Sequence, residues 1–216
     1  MVMGVVGDGR LWKEDLFPEE LIPEILELVI TSWRTFKKPN RLAREVPISK
    51  AFTRRIRAEK NQRGDLPFHV WYELPTLSAH TEKDGRVDIL FAYIATPQED
   101  IYFAFECKRL RIPYPCRLDT NNSDYVGDQG MMCFVTGKYS HSVTNAGMIG
   151  YVMDGRANLA ITSVGELIKK KRDALRLAGN TGLDLSSIIP NRQNARETTH
   201  MLSGKKFTIH HLFLAV

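Results

Sequence analysis

Two carboxylates and one ammonium stand out as residues able to do chemistry. Asp88 lies in the run Gly85-Arg86-Val87-Asp88-Ile89-Leu90-Phe91, and Glu106 and Lys108 lie in Ile101-Tyr102-Phe103-Ala104-Phe105-Glu106-Cys107-Lys108. Both runs are otherwise apolar and rich in strand-forming residues, so both are expected to be strands. Side chains alternate along a strand. Glu106 and Lys108 therefore share one face, while Phe103, Phe105 and Cys107 share the other. If the two runs pair as a hairpin, Asp88 falls on the Glu106/Lys108 face. A charge inside an apolar strand is costly unless it is paired or binds a metal. Two neighbouring carboxylates repel, and a divalent cation relieves the repulsion. Hard oxygen ligands suit Mg²⁺ or Mn²⁺. Such an ion polarises a phosphodiester and helps to generate a hydroxide nucleophile. Lys108 would orient or activate the attacking water, or stabilise charge building on the phosphate.

The elements that must position this cluster are legible as periodicities. The first forty residues read as a helical lead-in. Glu19, Glu20 and Glu24 load its early turns, and Leu21, Ile22, Ile25, Leu26, Leu28, Val29 and Trp33 form a broad apolar stripe. That stripe is too apolar to face water, so it packs on the core or on a second subunit. A second helix is expected over residues 47–60, with Ile48, Phe52 and Ile56 on one face. Strands over 68–74, 86–94 and 101–110 suggest an antiparallel meander. A helix is expected near 128–139, a strand at 146–153, a long helix at 159–178 and a closing strand at 207–216. Residues 179–206 read as polar and turn-rich. The fold class is α/β or α+β: one mixed central sheet flanked by helices. Residues 1–43 form a helical extension and residues 44–216 the main domain.

Asp88 followed by Glu106-x-Lys108, on adjacent strands after a helix, resembles the PD-(D/E)xK nuclease superfamily, which has the restriction-endonuclease-like fold. The resemblance covers residues 44–155, through the order helix, three strands, helix, strand. It implies a Mg²⁺- or Mn²⁺-dependent nuclease that hydrolyses phosphodiester bonds, with DNA as the expected polymer and endonucleolytic cutting as the expected mode. Asp88, Glu106 and Lys108 would be catalytic, and the metal set would be Asp88, Glu106 and Cys107. Val87 stands where the motif's name has proline. Many members add a glutamate near the first core helix, and Glu45 matches that place, with Glu73 next. Some carry a polar residue on the helix after the ExK strand. Gln129 is closest to that position, with Lys138 and Tyr139 as alternatives.

Other features bound the reading. Lys plus Arg exceeds Asp plus Glu by 30 to 25, a formal charge of +5, which permits a polyanionic partner. The run Lys169-Lys170-Lys171-Arg172 is either a solvated helix face or a contact to a nucleic-acid backbone. His210 and His211, adjacent on a strand, point to opposite faces and make a poor metal pair; His141 and His200 are weaker still. Three cysteines without a CxxC pair suggest a reduced, cytoplasmic chain. No apolar run reaches the roughly 18 residues of a membrane helix, and the first residues carry no secretory or lipidation signal. A homodimer or partner protein is compatible with cutting both strands of a duplex. Three competing expectations remain. Glu106 and Lys108 are a simple ion pair at a solvent-facing edge. Alternatively, the fold binds nucleic acid without turnover, as an assembly subunit of a defence or mobile-element complex. Or the lead-in helix docks a partner and the carboxylates are incidental.

Overall fold

The computed structural model describes residues 17–76, 85–95, 101–139 and 143–216. His141 and the first residues, read above for leader signals, lie outside these. A short 3-10 turn at Glu19–Leu21 leads into α1 (Ile22–Thr35), with Pro23 in the first turn, where its missing N–H does no harm. The elements α2 (Glu45–Arg63), β1 (Phe68–Thr76), β2 (Gly85–Tyr93) and β3 (Tyr102–Leu110) follow. A small hairpin, β4 (Ile112–Tyr114) and β5 (Arg117–Asp119), precedes α3 (Asn122–Val126) and α4 (Met132–Val135). Then come β6 (Asn145–Val152), α5 (Ala157–Lys170), β7 (Asp184–Leu185), β8 (Ala195–Leu202) and β9 (Lys205–Ala215).

Seven strands form one mixed sheet in the order β1-β2-β3-β6-β9-β8-β7. The first three make the expected antiparallel meander. β3, β6 and β9 run parallel, and β8 and β7 return antiparallel. Each face of the sheet has its own apolar layer. On one face α1 and α2 supply Ile25, Leu28, Val29, Trp33, Ile48, Phe52 and Ile56 against Ile89, Phe103, Phe105, Ile149 and Leu212. On the other α3, α4 and α5 supply Tyr125, Phe134, Ala160, Val164 and Ile168 against Leu90, Ala104, Met148, Ile209 and Phe213. Along β3, consecutive residues fall in different layers, which is the period of two expected of a central strand buried on both faces. The parallel β3/β6 pair needs a glycine: a Cβ at Gly147 would lie only 2.2 Å from the ring of its partner Phe105.

The apolar stripe of α1 rests in the core, the first of its two expected destinations. Trp33 stacks on Tyr151 at 5.4 Å between ring centroids and meets Phe52 edge-on at 5.0 Å. Its indole N–H donates to the Ala215 carbonyl at 2.8 Å, tying α1 to the end of β9.

Three expectations are corrected. Of the helix expected over 128–139 only α4 forms, with α3 lying before it, because the chain turns sharply at Gly130, where a Cβ would meet the Tyr125 carbonyl oxygen at 2.1 Å. The long helix over 159–178 stops at Lys170. Beyond it Arg172 donates to the carbonyls of Gly179 and Thr181 and folds the segment back on itself. The polar stretch 179–206 contains β7 and β8. β8 reads as Ala195-Arg196-Glu197-Thr198-Thr199-His200, and beside the small Ala195 its buried positions are threonine and histidine. Among the described residues no helix is long and apolar enough to cross a membrane.

Candidate carboxylate and lysine site

β2 and β3 pair from Ile89 opposite Phe105 to Ala92 opposite Tyr102. Asp88 lies just beyond this paired run. Its Oδ2 accepts the backbone N–H of Cys107 at 2.7 Å, so the side chain takes a donor that a continuing ladder would have given to backbone. The neighbouring ladder is also disturbed here. β1 pairs Tyr72 with Ile89 and Leu74 with Val87, and Glu73 between them has φ 47°.

Glu106 and Lys108 are both buried on the face that alternation assigns them. The Lys108 ammonium donates to Glu106 Oε1 at 2.7 Å and to Glu45 Oε1 at 3.2 Å. Glu45 opens α2. Its other oxygen accepts the Arg109 backbone N–H at 3.0 Å, so this helix-start carboxylate is turned into the cluster. The Tyr139 hydroxyl donates to Glu106 Oε2 at 2.6 Å and also lies 2.9 Å from the Arg86 carbonyl oxygen. Both oxygens of Glu106 are thereby held.

Three carboxylates face one ammonium, and burial and mutual charge together set their electrostatics. Burial, then the charge of Glu106, raises the Asp88 carboxyl from 3.8 to about 7. Burial pushes Glu106 up as well, with Lys108 and Tyr139 pulling the other way. For Lys108, burial alone would lower the value; the carboxylates of Glu106 and Glu45 outweigh it and hold the ammonium above its ordinary range. Burial and the charge of Glu106 keep Tyr139 protonated far above its usual range, so it serves as a donor.

The remaining expected residues are placed as follows. Cys107 does not bring its sulfur to the carboxylates. Strand alternation turns the thiol to the opposite layer, 3.5 Å from the Tyr151 hydroxyl, and only its backbone N–H serves Asp88. Glu73 lies 3.7 Å from the exposed Arg86. Gln129 is exposed in the turn between α3 and α4. Lys138 is half-buried, 4.0 Å from the Cys133 sulfur, while its neighbour Tyr139 reaches Glu106. Lys169 and Lys170 end α5, exposed, and Arg172 is committed to carbonyls. The pattern D…ExK carried no signal for Tyr139's contact, which depends on the irregular turn after α4.

His210 and His211 do point apart: His210 lies against Asn145, and His211 against Tyr125 and Thr198. No family model matches the chain, and no curated protein and no solved structure matches it.

Among the described residues there is no group of three or more His, Cys, Asp or Glu side chains arranged to hold a metal ion. Asp88 and Glu106 are hard oxygen donors of the kind of which Mg²⁺ commonly takes one or two, completing its shell with water; burial, then the charge of Glu106, raises the Asp88 carboxyl.

Proposed function

We propose that this chain is a metal-dependent nuclease of the PD-(D/E)xK type that hydrolyses phosphodiester bonds, with DNA as its substrate. The observation that carries the reading is the convergence of Asp88, Glu106 and Lys108 at the fork between β2 and β3, with Asp88 raised by burial and by the charge of Glu106. Asp88 and Glu106 would hold Mg²⁺ or Mn²⁺. When bound, such an ion polarises a phosphoryl oxygen and acidifies a water molecule. Lys108 is held protonated, so its part is to donate to charge developing on the phosphate rather than to abstract a proton. Glu45 fixes the ammonium from the α2 side, and Tyr139 fixes the Glu106 carboxylate.

The deciding experiment incubates the full chain with plasmid and with linear DNA in Mg²⁺, in Mn²⁺ and in EDTA. Cleavage requiring the metal, and lost in Glu106→Gln, is the expected result. A preparation that never cuts DNA or RNA with either metal overturns the reading.

One observation favours a second reading, a nucleic-acid-binding subunit without turnover. Both oxygens of Glu106 are already engaged by Lys108 and Tyr139. DNA binding that ignores the metal, with no strand scission, would select it.

A further inference from the structure

The face of α2 turned away from the core carries Lys50, Arg54 and Arg57, all exposed and spaced so that they line one stripe of the helix. Among the described residues, the ion pairs of α2 use Arg55, Glu59, Arg63 and Glu45 and leave this stripe aside. The stripe leads to an exposed aromatic. Trp71 on β1 is 45% exposed, although tryptophan is costly to leave in water. The Arg57 guanidinium lies over its ring, 5.7 Å from the centroid, and is fixed there by donating to the Val70 carbonyl at 2.7 Å. His69, also exposed, has its ring 6.1 Å from that of Trp71.

The position of this aromatic matters. β1 is an edge strand of the sheet. Trp71 pairs with Leu90, two residues along β2 from Asp88, so the indole lies near the carboxylate site along the β1–β2 ladder. A row of unpaired cations beside a held, solvent-facing indole is the surface that single-stranded nucleic acid uses: cations for successive phosphates, a ring face for an unstacked base. A continuous duplex offers no free base face to Trp71.

We propose that α2 and β1 form a track for single-stranded polynucleotide, with Trp71 stacking an unpaired base beside the carboxylate site. Where the chain cuts, it therefore prefers single strands, frayed ends or junctions to uninterrupted duplex. The preference for cutting rests on the nuclease reading; the binding surface does not.

The test measures fluorescence anisotropy of a labelled oligonucleotide, single-stranded or as its blunt duplex, titrated with the full chain in EDTA, so that no cleavage intervenes. Single strand should bind tighter than duplex. Trp71→Ala should weaken single-strand binding by about tenfold or more and change duplex binding by less than about twofold. Trp71→Phe should restore most of the loss, which a merely structural role would not predict. The pair Lys50→Gln and Arg54→Gln should weaken binding and flatten its salt dependence. Unchanged single-strand binding in Trp71→Ala overturns the proposal. So does a Trp71→Ala variant that loses only self-association by light scattering, which would make the β1 edge an interface between copies. If the parent binds as described and never cuts, the nuclease reading falls and this surface stands.

Discussion

The same sheet buries polar groups at two places and treats them in opposite ways. Near β2 and β3, three carboxylates surround one ammonium, and burial, then the charge of Glu106, raises the Asp88 carboxyl to about 7. Near β8 and β9, the network is neutral and complete. His200 donates from Nδ1 to the Leu175 carbonyl at 2.6 Å, which leaves its Nε2 to accept the Thr198 hydroxyl proton at 2.7 Å. Thr198 then accepts from His211 Nε2 at 3.0 Å, and His211 Nδ1 accepts from the Tyr125 hydroxyl at 2.9 Å. Each proton in this relay has one donor and one acceptor. A satisfied buried network rigidifies a core, whereas buried charge left unbalanced needs a partner from outside.

The sharpest break of that contrast is Asp88→Asn. The amide oxygen can still accept the Cys107 N–H, so the fold is retained while the charge is removed. DNA cleavage should fall by about a thousandfold, as expected for losing a metal ligand or an electrostatic group at a reacting centre. The same variant should melt higher at neutral pH, by roughly 1–3 kcal/mol of stability, a figure discounted because Asp88 is only half-buried. Lower stability together with full activity would erase the distinction between the two regions.

Thr198→Val attacks the other end. It leaves His200 Nε2 and His211 Nε2 without their partner and should cost about 2–4 kcal/mol in urea unfolding. Cleavage per folded molecule should be unchanged, and a loss of catalysis at full stability would place the histidine relay in the chemistry.

The two regions also tilt stability against pH in opposite directions. Folded Asp88 keeps its proton up to about pH 7, whereas its ordinary value is 3.8. In that window the folded state binds the extra proton, so this group lowers stability as pH rises. His200 and His211 are held below their ordinary 6.5, mainly by burial. The unfolded chain takes up protons there that the folded chain refuses, so they lower stability as pH falls. Urea midpoints of Asp88→Asn should therefore rise with pH from about 5 to 7, more steeply than those of the parent. Parallel curves for the two proteins would contradict the assignment.

Smaller effects sharpen the picture. Saturating Mn²⁺ or Mg²⁺ should raise the parent's stability by about 1–3 kcal/mol and leave Asp88→Asn unmoved. Least of all, Lys169→Gln with Lys170→Gln should change DNA affinity by less than about twofold, because the end of α5 lacks the aromatic companion that the α2 stripe has.

Much of this was legible in the sequence because it depends on strand period alone. Glu106 and Lys108 share a face through simple alternation, and the meander of β1 to β3 follows from three apolar runs between polar loops; Asp88 reaches them from just beyond the paired ladder. Glu45 was named only through the family resemblance, and the structure turns it onto Lys108 and the Arg109 N–H. What escaped depends on tertiary context. β8 hides its buried positions behind threonine and histidine, so its hydropathy reads as loop. Tyr139, named only as an alternative to Gln129, reaches Glu106 from the turn that follows the short α4, the one helix within 128–139. Alternation already put the Cys107 thiol on the face opposite Glu106, and its place in the metal set came only from the resemblance. Trp71 fits an ordinary alternating strand, and only the edge position of β1 leaves it open to solvent.

The order of strands carries a consequence for biosynthesis. β9 follows all the other described strands in the chain, yet it lies between β6 and β8, and its Ala215 carbonyl receives the indole of Trp33. On a ribosome, α1, α2 and the meander can gather early through short-range contacts, but the central strands keep an open edge until residues 205–215 leave the exit tunnel. Stalling or truncation inside that stretch would leave a nascent chain with sticky strand margins, a natural target for chaperones and proteases.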